Sequence, residues 1–143
     1  MSTVKELMGI KGADVWSVHP QDTVYKALEI MAEKNIGALT VMNEDRLVGI
    51  FSERDYARKV ILKGKSSKDT PISELMTENV LTIHSGVSLN ECMKLMAEKH
   101  IRHLPVIDDK RMVGILTIGD VVNHIISMQQ DTIQHLEQYI EAR

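Results

Sequence analysis

The sequence predicts an α/β (α+β) fold made of two pseudo-twofold-related β-α-β-β-α repeats followed by a long C-terminal helix. Three observations carry this. Residues 16–61 lie over residues 81–126 at a constant offset of 65 without a gap, and roughly a third of the paired positions are identical. Within each copy, short apolar runs alternate with stretches of helical period. After Asp120 the helical period continues to the end of the chain instead of stopping at a turn. Two copies suit a globule that buries its faces between repeats better than a solenoid.

The elements follow in order. "VWSV" (15–18) and "VLTI" (80–83) are short apolar runs before a turn and predict strands. Val24, Ala27, Leu28 and Met31, and Leu89, Cys92, Met93 and Met96, recur at helical spacing. Thr23 and Ser88 stand at the N-cap positions of these helices. "ALTVM" and "HLPVI" predict the next strands, "NEDR" and "DDKR" the turns, and "LVGIF" and "MVGIL" the returning strands of a hairpin. A second helix starts at Ser52 or Thr117. A short lead-in is duplicated as well: "VKELM" (4–8) and "ISELM" (72–76). "GIKGAD" (9–14) reads as a longer loop than "TEN" (77–79). The resulting organisation is residues 1–62 for the first repeat with its lead-in, 63–71 for a polar linker, 72–127 for the second repeat, and 128–143 for a helical extension.

Composition excludes several classes. With 3% aromatic residues the core must be aliphatic, and a net charge of −3 argues against a general polyanion binder. Nucleic acid is therefore not an expected partner. The single cysteine, Cys92, forms no internal disulfide and lies on an apolar helix face, where a buried, inert thiol is expected. The start of the chain lacks an apolar signal core, and no apolar run is long enough for a membrane span. The expectation is a cytoplasmic protein. His100 and His103 are three apart, but no cysteine or carboxylate completes a zinc pattern, so no metal is expected. There is no GxxxxGK[ST] and no G-x-S-x-G, and no catalytic constellation is found.

The repeated string is G-I-x-[ST]-x-x-D, with Gly49, Ser52 and Asp55 in the first copy and Gly114, Thr117 and Asp120 in the second. Two readings of it stay open. Ser/Thr followed three residues later by Asp makes a capping box at a strand–helix junction. The same geometry suits a nucleotide, with phosphate at a helix N-terminus and the aspartate accepting from a ribose diol. Gly49 and Gly114 would let a ligand approach the strand closely.

The duplicated β-α-β-β-α unit, "HLPVI" and the repeated G-I-x-[ST]-x-x-D resemble the CBS domain, and two in tandem resemble a Bateman module. The resemblance spans nearly the whole chain. It implies two repeats packed sheet to sheet with clefts that bind adenosine derivatives: AMP, ADP, ATP, NAD(H) or S-adenosylmethionine. It implies that Asp55 and Asp120 hold ribose hydroxyls and that Ser52 and Thr117 lie near phosphate. It further implies that Ile36, Gly37 and Ala38, with Ile101, Arg102 and His103, enclose the adenine, helped by Thr77 and Val80 at the entry to the second repeat. Pro105 belongs to the family pattern, whereas Thr40 and Ala38 stand where the first copy would have proline and histidine. Arg54, a candidate phosphate contact, is opposite Gly119 in the second copy, so unequal clefts are expected.

The function expected from this is a regulatory adenine-nucleotide sensor, not an enzyme, whose ligand-dependent packing is read by a protein partner in trans. The alternatives are a purely structural dimerisation module with empty clefts, or a nucleotide-converting enzyme. Gln129, Ile133, Leu136 and Ile140 have heptad-like spacing, and the extension is expected to support a homodimer.

Overall fold

A computed structural model describes residues 2–12 and 15–141. The order is α1 (Val4–Lys11), β1 (Ser17–Val18), α2 (Val24–Lys34), β2 (Ala38–Asn43), β3 (Arg46–Ser52) and α3 (Glu53–Asp55), which runs on as a π-turn, Tyr56–Ile61. A 3₁₀ turn, Ile72–Glu74, leads into α4 (Leu89–Lys99), β4 (His103–Asp108), β5 (Arg111–Thr117) and α5 (Ile118–Glu141). Among the described residues the strands form two sheets, β1-β2-β3 and β4-β5.

Local chemistry explains most boundaries. Thr23 and Ser88 cap α2 and α4 by accepting from the N–H groups of Lys26 and Glu91 at 3.2 and 3.1 Å. Both helices close on a left-handed residue, Asn35 and His100, whose N–H returns to Met31 and Met96. His100 thus has a structural task in ending α4. The two hairpins share one irregularity, a register shift after Val41 in the first and after Val106 in the second.

The predicted strand at 80–83 is reduced to a single parallel bridge, Ile83↔Val106. In the first copy the bridges are Ser17↔Thr40 and Val18↔Val41. The former needs the N–H of residue 40, and its counterpart, Pro105, has none. The expected loop at 9–14 also differs, because Gly9 and Ile10 complete α1 and Gly12 caps it through Met8 O at 3.0 Å. Residues 13 and 14 of that stretch lie outside the described residues, as do 142 and 143 of the predicted C-terminal helix.

The lead-ins cross between the repeats. Leu89 N–H donates to Ser2 O at 3.0 Å, and Val24 N–H donates to Thr70 O at 3.0 Å. Each supplies an acceptor to an orphan donor at the start of a helix in the other repeat. Val4 and Leu7 therefore lie in one core with Leu89, Leu104 and Leu116. Ile72 and Leu75 lie in the other with Val24, Leu39 and Phe51. The two cores are built from corresponding positions: Val18 with Ile83, Ala27 with Cys92, Met31 with Met96.

Cys92 is fully buried, and burial, helped by the charge of Glu91, pushes its thiol up to about 11. At pH 8 only about one thiol in a thousand would be thiolate, the reactive form. Ellman's reagent is expected to titrate no thiol in the folded chain over an hour and one per chain in guanidinium. Rapid reaction of the folded chain would contradict this burial.

Candidate functional site

The junction of β3 and α3 builds the site. Ser52 Oγ accepts from the Asp55 N–H at 3.2 Å, and Asp55 Oδ2 accepts from the Ser52 N–H at 3.0 Å. The pair is a capping box, and its counterpart repeats it: Thr117 and Asp120 exchange the same bonds at 3.0 and 3.2 Å. Caps of this kind contribute about 0.5–2 kcal/mol. Capping therefore accounts for the duplicated hydroxyl and acid as far as local structure is concerned.

The other oxygen of Asp55 has a different neighbourhood. Oδ1 accepts from Thr77 Oγ1 at 3.2 Å and faces Lys59 Nζ at 3.1 Å. Thr77 arrives from the second lead-in, pinned by reciprocal backbone bonds with Ile50 at 2.9 and 3.0 Å. Asp55 itself is only 7% exposed. Lys59 also donates to Leu75 O at 3.3 Å, so the π-turn places one ammonium between the acid and the second lead-in. The corresponding position in the second repeat is His124, and the counterpart of Thr77 is Gly9, inside α1. The two junctions share a cap and differ beyond it.

Beside Asp55 lies a cavity of about 430 Å³. Ser52, Glu53, Arg54 and Asp55 form one wall, Thr77 and Ile50 the floor, and His100, Ile101, Arg102 and His103 the wall from the second repeat, with Gly37 at the rim. Arg54 Nη1 spans the repeats by donating to His100 O at 3.0 Å. A Cβ at Gly37 would sit 3.1 Å from the Glu53 carboxylate, a contact that the end of this side chain would have to yield to. The charged and basic groups at the mouth are Arg54, Arg102, His100 and His103 against Glu53. Two arginines in the lining of one small cavity suit an anionic ligand.

Eight of the residues singled out from the sequence share this cavity: Gly37, Ser52, Arg54, Asp55, Thr77, Ile101, Arg102 and His103. The rest lie elsewhere. Ile36 lines an adjoining cavity with Leu28, Met31 and Tyr56, which shares Gly37 and Glu53 with the first. Val80 lines a groove between the hairpins with Met42, Leu47, Ile107 and Met112, which brings the two sheets face to face. Ala38 is buried in β2, and Pro105 pairs with Ile115 inside the second hairpin. Thr117 and Asp120 form the second junction, apart from this cavity. Lining or supporting residues that the sequence reading passed over are Ile50, Glu53 and Lys59, while His100, considered there as a metal ligand and set aside, also lines the cavity. Lys59 was within reach as an Asp–Lys pair four apart on a helix. The others depended on the fold.

Gly49 and Gly114 do not receive a ligand as expected. A Cβ at Gly49 would lie 2.6 Å from Met76 Sδ, and one at Gly114 would overlap Met8. Each glycine makes room for the methionine of the crossing lead-in. Among the described residues there is no group of three or more His, Cys, Asp or Glu side chains placed to hold a metal.

The sequence matches the CBS domain family over residues 4–62 and 72–127. This chain belongs to the CBS domain family. A curated relative is the CBS domain-containing protein CBSX3, mitochondrial, of Arabidopsis thaliana, 39% identical over 151 residues, which span 99% of this chain and 73% of that protein. The crystal structure of the CBS domain protein NE2398 superposes with a TM-score of 0.85 at 45% identity, covering 87% of this chain and 98% of that one. The CBS pair of MJ0100, solved with 5'-methylthioadenosine and S-adenosyl-L-methionine, gives 0.78 at 27% identity, covering 90% and 98%. The two repeats are thus a tandem CBS pair, a regulatory module that often binds adenosine ligands. No helix among the described residues is long and apolar enough to cross a membrane.

Proposed function

We propose that this CBS pair is a regulatory sensor of an adenine nucleotide, AMP, ADP, ATP or NAD(H), that binds without turnover. The observation that carries the reading is the divided task of Asp55. One oxygen is spent on the helix cap, while the other stands with Thr77 beside a cavity that also holds Arg54 and Arg102. In this reading the second oxygen accepts from a ribose diol, and the two guanidiniums meet phosphate. The MJ0100 pair, solved with two adenosine compounds, supports the ligand class.

Arg54 links binding to packing. Its bond to the His100 carbonyl ties the two repeats together. A phosphate drawing Arg54 away changes the inter-repeat contact, so ligand binds the two packings unequally and shifts their balance. A homodimer and a protein partner acting in trans complete the reading. A cytoplasmic site is part of it too, although the relative CBSX3 is named as mitochondrial.

The second reading, a structural module with empty clefts, is favoured by one observation: both S/T-x-x-D pairs are fully formed caps. Incubation with a nucleotide panel decides. Ligand at a hundred times Kd stabilises the native state by about 2.7 kcal/mol. We expect a raised melting temperature, saturable calorimetric heat and unchanged nucleotide on chromatography. Absence of any shift at millimolar nucleotide would leave the structural module, and product formation would make the chain an enzyme.

A further inference from the structure

The second half of α5 leaves an apolar stripe exposed, although Ser2 Oγ reaches Met128 Sδ at 3.0 Å near its start. Val121 is buried and Ile125 packs on the second repeat's core, but residues 126–141 are exposed. Within that stretch Ile126, Ile133 and Ile140 recur every seven residues at exposures of 47, 55 and 66%. Gln129 and Leu136 lie between them, three residues after each isoleucine of the first two, so a single stripe reads Ile-Gln-Ile-Leu-Ile. No charged residue interrupts the stripe; Asp131, Gln134, His135 and Gln138 point away from it. Isoleucine at the first and leucine at the second seam position is the preference of two-stranded parallel coiled coils.

Building on the homodimer reading above, we infer that α5 pairs with α5 of a second copy as a parallel, in-register coiled coil over residues 126–140. Gln129 is the reason for choosing an identical partner. A lone amide in an apolar seam needs a partner at its own level, and twofold pairing sets Gln129 against itself, where one amide donates and the other accepts. A slipped or reversed pairing places it against isoleucine or leucine and leaves its amide unsatisfied. The apolar groove between Leu89, Asn90, Ile125 and Thr132 runs into the stripe at Gln129 and Ile133, so the second helix meets a surface wider than the seam.

The test uses the full-length chain. Light scattering at tens of micromolar is expected to give a dimer. Ile133→Asp, which sets two carboxylates against each other in the seam, is expected to raise the dimer Kd at least a hundredfold. It should leave the circular dichroism of the remaining fold in place, since Ile133 is exposed within one chain. Leu136→Cys is expected to form an interchain disulfide on mild oxidation, and Gln138→Cys, on the outer face, is not. A monomeric parent chain would overturn both this seam and the dimer reading, without touching nucleotide binding. A dimer that survives Ile133→Asp unchanged would overturn the seam and keep the dimer. Equal crosslinking of the two cysteine variants would overturn the parallel register.

Discussion

Asp55→Asn is expected to weaken adenine-nucleotide binding about ten- to hundred-fold while costing the fold about 1 kcal/mol or less. The asymmetry comes from the two oxygens. Asparagine keeps one acceptor, which the Ser52 N–H claims for the cap. Its amide nitrogen then faces Thr77, Lys59 and the cavity, a donor where a charged acceptor stood. Hydrogen bonds to a charged group contribute about 1.5–3 kcal/mol, which sets the range of the loss. The Lys59 pair adds little to stability because the lysine side chain is 42% exposed. Asp120→Asn should behave differently, since Gly9 and His124 stand where the first junction has Thr77 and Lys59. Calorimetric titration of both variants, with urea melts alongside, reads each side. If affinity stays within twofold while stability drops by a kilocalorie, the aspartates are caps and the nucleotide assignment fails.

Ile72→Ala is expected to destabilise the whole chain by about 2–5 kcal/mol, a large part of an ordinary domain's stability. Ile72 is fully buried, and the core it fills belongs to the first repeat although it precedes the second in sequence. Val4 makes the reciprocal insertion. Because each repeat's core includes a piece of chain attached to the other, neither can empty its core alone, and the pair should unfold as one. Hydrogen exchange of the Leu39 and Leu104 amides, one in each core, should show the same loss of protection in the variant. Loss confined to the Leu39 side would mean that the repeats unfold independently and that the crossing adds no cooperativity.

Much of the fold is legible in the sequence because its causes are local. The caps at Thr23 and Ser88, the apolar faces of α2 and α4, and the hairpins each depend on residues within a few positions of one another. The 65-residue offset adds that whatever one copy forms, the other should form too. That inference failed at 80–83 for a reason also present in the sequence: Pro105 lacks the N–H that Thr40 provides. The candidate site is legible only in part. Ser52 and Asp55 are fixed by their own junction, whereas Thr77, Arg102 and His103 join them from chain segments whose place depends on how the repeats pack.

The sequence by itself determined the duplication, the order of elements, the aliphatic identity of both cores and the paired S/T-x-x-D caps. Only the tertiary structure decided which lead-in enters which core, and with it that Gly49 and Gly114 meet methionines and that Thr77 meets Asp55. The physical reason is that burial of apolar surface carries no direction. "VKELM" and "ISELM" offer the same apolar face at the same spacing, and either would fill either core. Backbone hydrogen bonds from Leu89 to Ser2 and from Val24 to Thr70 accompany the crossed arrangement, and they exist only once residues more than forty positions apart have met.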